Sequence, residues 1–290
     1  MTKTIVFVHG NFVTKACWDA WVTRFEGRGY RCVAIPYPGR DASVATLRAN
    51  PDRELLGSLT ITAVLDQHER IIRSLPERPI IIGHSFGGLL TQLLVQRGLA
   101  EAAIAIDSVP PMGVIPFRLS FFRATAPALN PLAGRSPYMM SFPHFQYSFV
   151  NGMPLAEQRA AYDRYVVPES RTLGRGALGF NGKVNFRKAH APLLMVGGEI
   201  DNIMPASLNR QNYNRYRKGS PSIVEFKEYA GRNHFSVIGG EGWEQVADDA
   251  LSWASRVTSG AAGISADDDC TCGDPATSNG DLRAGVGAAR

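Results

Sequence analysis

Pro79-Ile80-Ile81-Ile82-Gly83-His84-Ser85-Phe86-Gly87-Gly88-Leu89-Leu90 reads as an apolar run, then Gly-x-Ser-x-Gly, then small and apolar residues that open a helix. Three consecutive isoleucines between Pro79 and Gly83 suit a strand buried on both faces. Glycine two positions either side of a serine suits a sharp strand-to-helix turn, where neighbouring backbone comes too close for a Cβ. The following helix would aim its free N–H groups and positive dipole end at the serine, where an oxyanion would develop. Ser85 is therefore a candidate nucleophile at the edge of a parallel sheet.

The same rhythm extends in both directions. Strand-type runs fall at about 4–9, 31–36, 79–84, 102–107, 192–197 and 222–229, rich in Ile, Val or Phe. Helix-type segments lie between them at about 15–27, 60–74, 86–98, 206–217 and 240–256. Thr60, for example, precedes Ile61, Val64, Leu65, Ile71 and Ile72, an apolar spacing that suits one helix face. Alternation of this kind predicts an α/β fold, a mostly parallel sheet with helices on both faces.

Residues 110–190 break the rhythm with nine prolines, among them Pro110, Pro127, Pro143 and Pro168, interleaved with Phe117, Phe121, Phe122, Tyr138, Phe142, Phe145, Tyr147 and Phe149. A structureless loop of that length does not fit a compact domain. A helical cap over the C-terminal edge of the sheet does, since open α/β folds bind ligands there. About a third of the cap aromatics are expected to line the pocket. The division is then 1–109 and 191–257 for the core, 110–190 for the cap and 258–290 for a flexible tail, where Gly, Ala, Ser, Thr and Asp replace the apolar pattern.

Bulk properties narrow the function classes. The chain has 290 residues, 44% hydrophobic and 20% charged, as expected of a globular domain with a full core. The formal charge is +5, and because five aspartates face two arginines after residue 258, the body carries +8. Its densest stretch, Arg210, Arg215, Arg217 and Lys218, reads as the solvated face of one helix, and no nucleic-acid-binding motif accompanies it. No apolar run reaches the roughly 18 residues needed to span a bilayer. A strand starting at Thr4 leaves no room for a signal peptide, so a cytoplasmic location is expected. Cys17, Cys32, Cys270 and Cys272 make neither a disulfide framework nor a metal site and are read as structurally inert.

A serine needs a base, expected late in the chain in the order Ser, acid, His. Of six histidines, His9 and His84 lie within the two turn motifs, His68 reads as the surface face of a helix, and His144 and His190 belong to the cap and its exit. His234, between the last strand and the last helix, is placed to swing over the sheet edge. For the acid, Asp201 follows Leu193-Leu194-Met195-Val196 by a short turn, with Asp107 as competitor at the end of the preceding strand and Glu199 as a weaker third. The acid must hold the imidazole in one tautomer and stabilise its cation. An oxyanion hole needs two backbone N–H groups; Phe86 and Asn11, directly after His9-Gly10, would supply them.

His9-Gly10-Asn11, Gly83-His84-Ser85-Phe86-Gly87, Asp201 within Gly197–Pro205, and His234 together resemble the α/β-hydrolase superfamily over about residues 1–257. The segments His9–Trp18 and Gly29–Gly39 look like its esterase, lactonase and hydroxynitrile-lyase-like branches. The resemblance implies a Ser85-His234-Asp201 triad, no metal or organic cofactor, and a small hydrophobic ester or lactone as substrate. Two departures stand out. The chain starts at what would be the third strand of the family's eight, giving about six, and Asn233 stands where relatives commonly carry glycine before the histidine. Hydroxynitrile-lyase-like, perhydrolase or haloperoxidase, and C–C hydrolase activities share the scaffold, whereas dehalogenases and epoxide hydrolases would need Asp at position 85. A non-catalytic small-molecule receptor is the alternative from a different class.

Overall fold

In a computed structural model, which describes residues 3–259, the strands are β1 (Thr4–Val8), β2 (Arg31–Ile35), β3 (Ile80–His84), β4 (Ala102–Ile106), β5 (Leu193–Gly198) and β6 (Val224–Tyr229). They form one sheet in the order β2-β1-β3-β4-β5-β6, with every neighbouring pair parallel. The chain builds outward from β1 to β2, then returns to lay β3 on the other side of β1. That reversal leaves a crevice at the C-terminal ends of β1 and β3, where open α/β sheets take ligands.

Period-two alternation along the strands divides the core. Ile5 and Phe7 face one side, packed with Trp18, Trp21 and Phe25 of the segment after β1 and with Val246, Ala247 and Ala250 near the C-terminus. Val6 and Val8 face the other, against Ile61, Val64, Leu65, Leu90 and Tyr216. The helices behind these contacts are α1 (Asp19–Glu26), α2 (Val44–Ala49), α3 (Arg53–Ser58), α4 (Ile61–Arg73), α5 (Phe86–Gln96), α6 (Leu119–Leu129), α7 (Phe142–Ser148), α8 (Leu155–Tyr165), α9 (Arg171–Gly176), α10 (Ala206–Gly219) and α11 (Trp243–Thr258). Helices α1 and α11 thus cover one face of the sheet, and α4, α5 and α10 the other.

Several sequence expectations need adjustment. The helix expected at 15–27 is a 3₁₀ turn (Lys15–Trp18) followed by α1, and α11 starts three residues late because Gly240 and Gly242 take left-handed φ of 76° and 72°. Helices α2 and α3 were not anticipated; each is only six residues long, and their signals are the side-chain caps Ser43 and Asp52. His68 is not on a surface face. It is fully buried, because it lies four residues after Val64 and three after Leu65 on the same α4 stripe, and its ring nitrogen Nδ1 bonds the Val64 carbonyl at 2.8 Å. Cys17 is buried and Cys32 half-buried, both free, whereas Cys270, Cys272 and the tail from 260 lie outside the described residues.

Helices α6–α9 sit between β4 and β5 in the chain and carry their own apolar cluster, including Phe121, Ala124, Met140, Phe145, Phe149 and Val150. That cluster also takes in Phe12 from the loop after β1, Ile203 and Met204 from the loop after β5, and Phe235. The cap is thereby seated on three of the loops that leave the C-terminal edge of the sheet. Residues 110–190 hold ten Lys or Arg against three Asp or Glu. Most of the body's positive surplus therefore belongs to the cap rather than to the Arg210–Lys218 stretch. Among the described residues no helix is long and apolar enough to cross a membrane.

The turn after β3 depends on absent side chains. A Cβ on Gly83 would stand 2.2 Å from the Gly87 carbonyl oxygen, and one on Gly87 would stand 2.1 Å from the Val8 oxygen. Both obstacles are backbone, so neither can yield cheaply. Gly87→Ala is expected to abolish the cooperative thermal transition. Gly98→Ala, with φ of 73° but open space around its Cβ, should cost only the left-handed strain of about 1–2 kcal/mol. Melting curves of the two variants check this, and a wild-type-like melt for Gly87→Ala would refute the packing argument.

Candidate active site

Ser85 occupies the turn between β3 and α5 with φ 57° and ψ −119°. Its N–H donates to the Ile106 carbonyl at 2.9 Å, and its own carbonyl accepts from Gly88 and Val109, each at 3.0 Å. The turn is thus held by backbone on both sides while Oγ makes no hydrogen bond to a described residue. Gly10 packs directly against it, for a Cβ there would lie 2.8 Å from Ser85 Cβ. Phe12, Ser85 and Asp107 are the non-glycine residues with positive φ among the described residues, and all three lie at this edge of the sheet. Strain of this kind costs energy and persists where surrounding structure enforces it.

His234 and Asp201 come together from the loops after β6 and β5. His234 Nδ1–H donates to Asp201 Oδ2 at 2.6 Å, and both residues are buried. The other Asp201 oxygen accepts the N–H groups of Ile203 and Met204 at 2.7 and 2.8 Å, a local turn that fixes the carboxylate. Nε2 of His234 is buried with no partner. The His84 ring lies 4.4 Å from the His234 ring, centroid to centroid, and its Nε2–H donates to the His234 carbonyl at 2.8 Å. The residue preceding Ser85 therefore carries the imidazole on its own side chain. Burial, then the neighbouring His234, pushes the His84 pKa well below the usual histidine value, so it serves as a neutral donor.

Asn233, at the position where glycine was expected, is what shapes this loop. Its Oδ1 accepts the N–H groups of Phe235 and Ser236 at 3.0 and 2.7 Å, and its Nδ2 donates to the Asn151 carbonyl of the cap at 2.8 Å. Phe235 N–H also donates to the Phe149 carbonyl at 2.9 Å, and Phe149 sets its ring edge-on to His234. An asparagine here exchanges glycine's backbone freedom for side-chain hydrogen bonds to the loop and the cap.

The loop after β1 presents two peptide groups of interest. His9 Nδ1 donates to the Gly10 carbonyl at 2.8 Å and its Nε2 accepts the Tyr37 N–H at 3.3 Å, roles that need a neutral ring. Burial lowers the His9 pKa to about 3, which keeps it neutral. In a trans peptide the C=O and the following N–H point in opposite directions, so fixing the Gly10 carbonyl also aims the Asn11 N–H. Neither Asn11 N–H nor Phe86 N–H donates to an acceptor among the described residues. Both residues line the same cavity as Ser85.

That cavity is lined by the cap residues Phe121, Leu129, Tyr138 and Phe149 and by Ile203 and Met204 from the loop after β5. Of the eight cap aromatics quoted from the sequence, Phe121, Tyr138 and Phe149 line it, close to the expected third. Its wall also includes Glu169, which sequence reasoning missed. A lone Glu after Pro168 in a proline-rich insertion carries no local signal of burial, yet it is 1% exposed and lies 3.7 Å from the equally buried Arg40 guanidinium.

Asp107, the rival acid, does not bond the imidazole's Nδ1, which Asp201 takes, and its Oδ2 is buried with no partner. Its Oδ1 accepts the Gly198 N–H at 2.7 Å. Glu199 lies outside the site and accepts the exposed Gly231 N–H. Ligand atoms of His84, Asp107 and His234 lie within 4.8 Å of one another, the one potential metal-ligand cluster among the described residues. His234 Nδ1 already pairs with Asp201. Burial, then the Asp201 charge, raises the Asp107 pKa well above the usual carboxylate value.

The Alpha/beta hydrolase family model matches residues 5–249. The chain belongs to that family. Methylesterase 10 of Arabidopsis thaliana is 28% identical over 103 residues, 35% of this chain and 34% of the relative, so the match spans about a third of that protein's length. Among solved structures, polyneuridine aldehyde esterase superposes with a TM-score of 0.64 at 16% identity, covering 88% of this chain and 100% of the other. Tomato methylketone synthase I, in complex with 2-tridecanone, gives 0.65 at 16% identity, with 89% and 99% covered. At such identities these two show a common fold.

The raised Asp107 pKa has a defined sign. The folded protein keeps a proton that the unfolded chain releases above about pH 4, so this group's contribution to stability falls as pH rises from there. Asp107→Asn keeps an acceptor for the Gly198 N–H without that titration. Its stability relative to wild type should rise between pH 4.5 and 8 in urea melts. An equal loss at every pH would mean that Asp107 is ionised in the fold.

Proposed function

We propose that this protein is a serine hydrolase that cleaves a carboxylic ester or lactone through an acyl-enzyme intermediate. The observation that carries the reading is the buried His234, held through Nδ1 by Asp201 and left with a free Nε2, packed against the residue next to Ser85. A histidine held in one tautomer, with its other nitrogen unspent, is equipped to take a proton from a serine hydroxyl.

In this mechanism Ser85 Oγ bonds the substrate carbonyl carbon as His234 Nε2 accepts its proton, and Asp201 stabilises the imidazolium. The N–H groups of Asn11 and Phe86 receive the developing oxyanion. His234 then gives its proton to the alkoxide as the carbon–oxygen bond breaks and the alcohol leaves. Water, deprotonated by His234, attacks the acyl carbon, and the carboxylic acid departs as Ser85 regains its proton. The apolar cavity favours a small hydrophobic acyl or alcohol group. The names of the methylesterase and the esterase that the chain resembles agree with ester cleavage.

A fluorophosphonate probe should label wild type and not Ser85→Ala, while p-nitrophenyl acetate, butyrate and octanoate are hydrolysed at rates that depend on chain length. Ser85→Ala and His234→Ala should each lower kcat by roughly 10⁵-fold or more, and Asp201→Asn by about 10⁴-fold. Absence of both labelling and turnover in wild type would put a ligand-binding receptor first.

A further inference from the structure

The cap grips the loop after β1 by consecutive backbone groups. Val167 N–H donates to the Phe12 carbonyl at 2.8 Å, and Phe12 N–H donates to Glu169 Oε2 at 3.3 Å. Glu169 is itself anchored from several sides. Its main chain exchanges hydrogen bonds with Tyr138 at 2.8 and 2.9 Å, and its Oε1 accepts the Ser170 N–H at 2.8 Å. Arg40, from the loop after β2, donates to the Pro168 carbonyl at 2.7 Å and sets its guanidinium 3.7 Å from the carboxylate. A buried ion pair is costly to assemble and does not by itself argue for stability. This one ends on the N–H of Phe12, a bulky residue held at φ 69°.

We propose that Glu169 is a positioning residue for the reaction, its carboxylate holding the Phe12 peptide so that the adjoining Asn11 N–H stays aimed at the carbonyl oxygen bound at Ser85. The inference rests on the serine-hydrolase reading. It adds that the oxyanion hole is complete only while the cap segment Val167–Ser170 is seated. Without the carboxylate, the Phe12 N–H loses its acceptor and the left-handed residue can relax, turning the Asn11 N–H away. His9 fixes the Gly10–Asn11 peptide from below, and Glu169 fixes the Asn11–Phe12 peptide from above.

Glu169→Ala leaves Arg40 buried without its counter-charge and can fail to fold, so the deciding variant is the double substitution Arg40→Met with Glu169→Leu, which removes both charges at similar volume. With p-nitrophenyl butyrate, kcat should fall about 100-fold, the effect of losing one oxyanion-hole donor, while KM changes less than threefold. A trifluoromethyl ketone, which forms a tetrahedral adduct with the serine, should lose affinity in parallel, and the matching methyl ketone should not. Arg40→Met with Glu169→Gln, whose carbonyl still accepts the Phe12 N–H and which leaves no buried charge unpaired, should recover most of kcat. A folded Arg40→Met, Glu169→Leu variant with kcat within twofold of wild type and unchanged trifluoromethyl ketone affinity would overturn the proposal. Wild type that neither turns over the ester nor forms the adduct would instead overturn the serine-hydrolase reading.

Discussion

The backbone of β1, β3 and α5 meets at a point where no Cβ fits. Gly83, Gly87 and Gly10 all have backbone or Ser85 itself within 3 Å of where their side chains would start. This close approach brings the ends of two adjacent strands into contact, with the side chains of Ser85 and Thr91 at the junction. It also fixes the start of α5, whose first N–H then sits beside the loop after β1. Everything else at the site arrives by way of parallel strands that end at the same edge. Asp107 follows β4, Asp201 follows β5 and His234 follows β6.

Legibility followed the range of the interactions. The turn at Ser85 could be read because a local steric demand leaves a local mark, glycine at two fixed positions. The four inner strands could be read because burial on both faces leaves unbroken apolar runs, and the edge strands β2 and β6, only partly buried, from shorter apolar stretches. Asp201 and His234 were legible as the acid and base candidates from chain order, and the structure brings them together at 2.6 Å. His68 was misread although its spacing from Val64 and Leu65 was available, because its polarity was weighed above its period. Arg40 and Glu169 were out of reach. Their burial depends on a contact across 129 positions, and neither has a neighbour in sequence that signals it.

Strain at Phe12, Ser85 and Asp107 has a common cause. Each ends or follows a strand of the inner sheet, where the chain must turn sharply enough to offer a peptide or side chain to the same small volume. The cost is met by hydrogen bonds that hold each turn. Ser85 is braced by Ile106, Gly88 and Val109, Asp107 by the Gly198 N–H and by its own N–H to Val196, and Phe12 by Val167 and Glu169. Only the last of these braces comes from the cap. The core therefore braces Ser85 and Asp107 by itself, while the loop that carries Asn11 and Phe12 answers to an inserted element.

On the proposed serine-hydrolase mechanism, that division explains why the Glu169 carboxylate is accompanied by a buried arginine. A bare Glu169 facing the cavity would raise the energy of negative charge developing on a substrate oxygen, and low dielectric would magnify the penalty. Arg40 offsets it from behind, and the N–H groups of Phe12 and Ser170 occupy the carboxylate oxygens. The cavity keeps an anchoring acceptor for its loop without presenting a free anion to the reaction. Arg171 adds a cation at the wall, lying 4.6 Å over the Tyr138 ring and donating to the Pro127 carbonyl. The interior is thus electrostatically balanced by groups committed to the protein itself, and the N–H groups of Asn11 and Phe86 remain without an acceptor among the described residues.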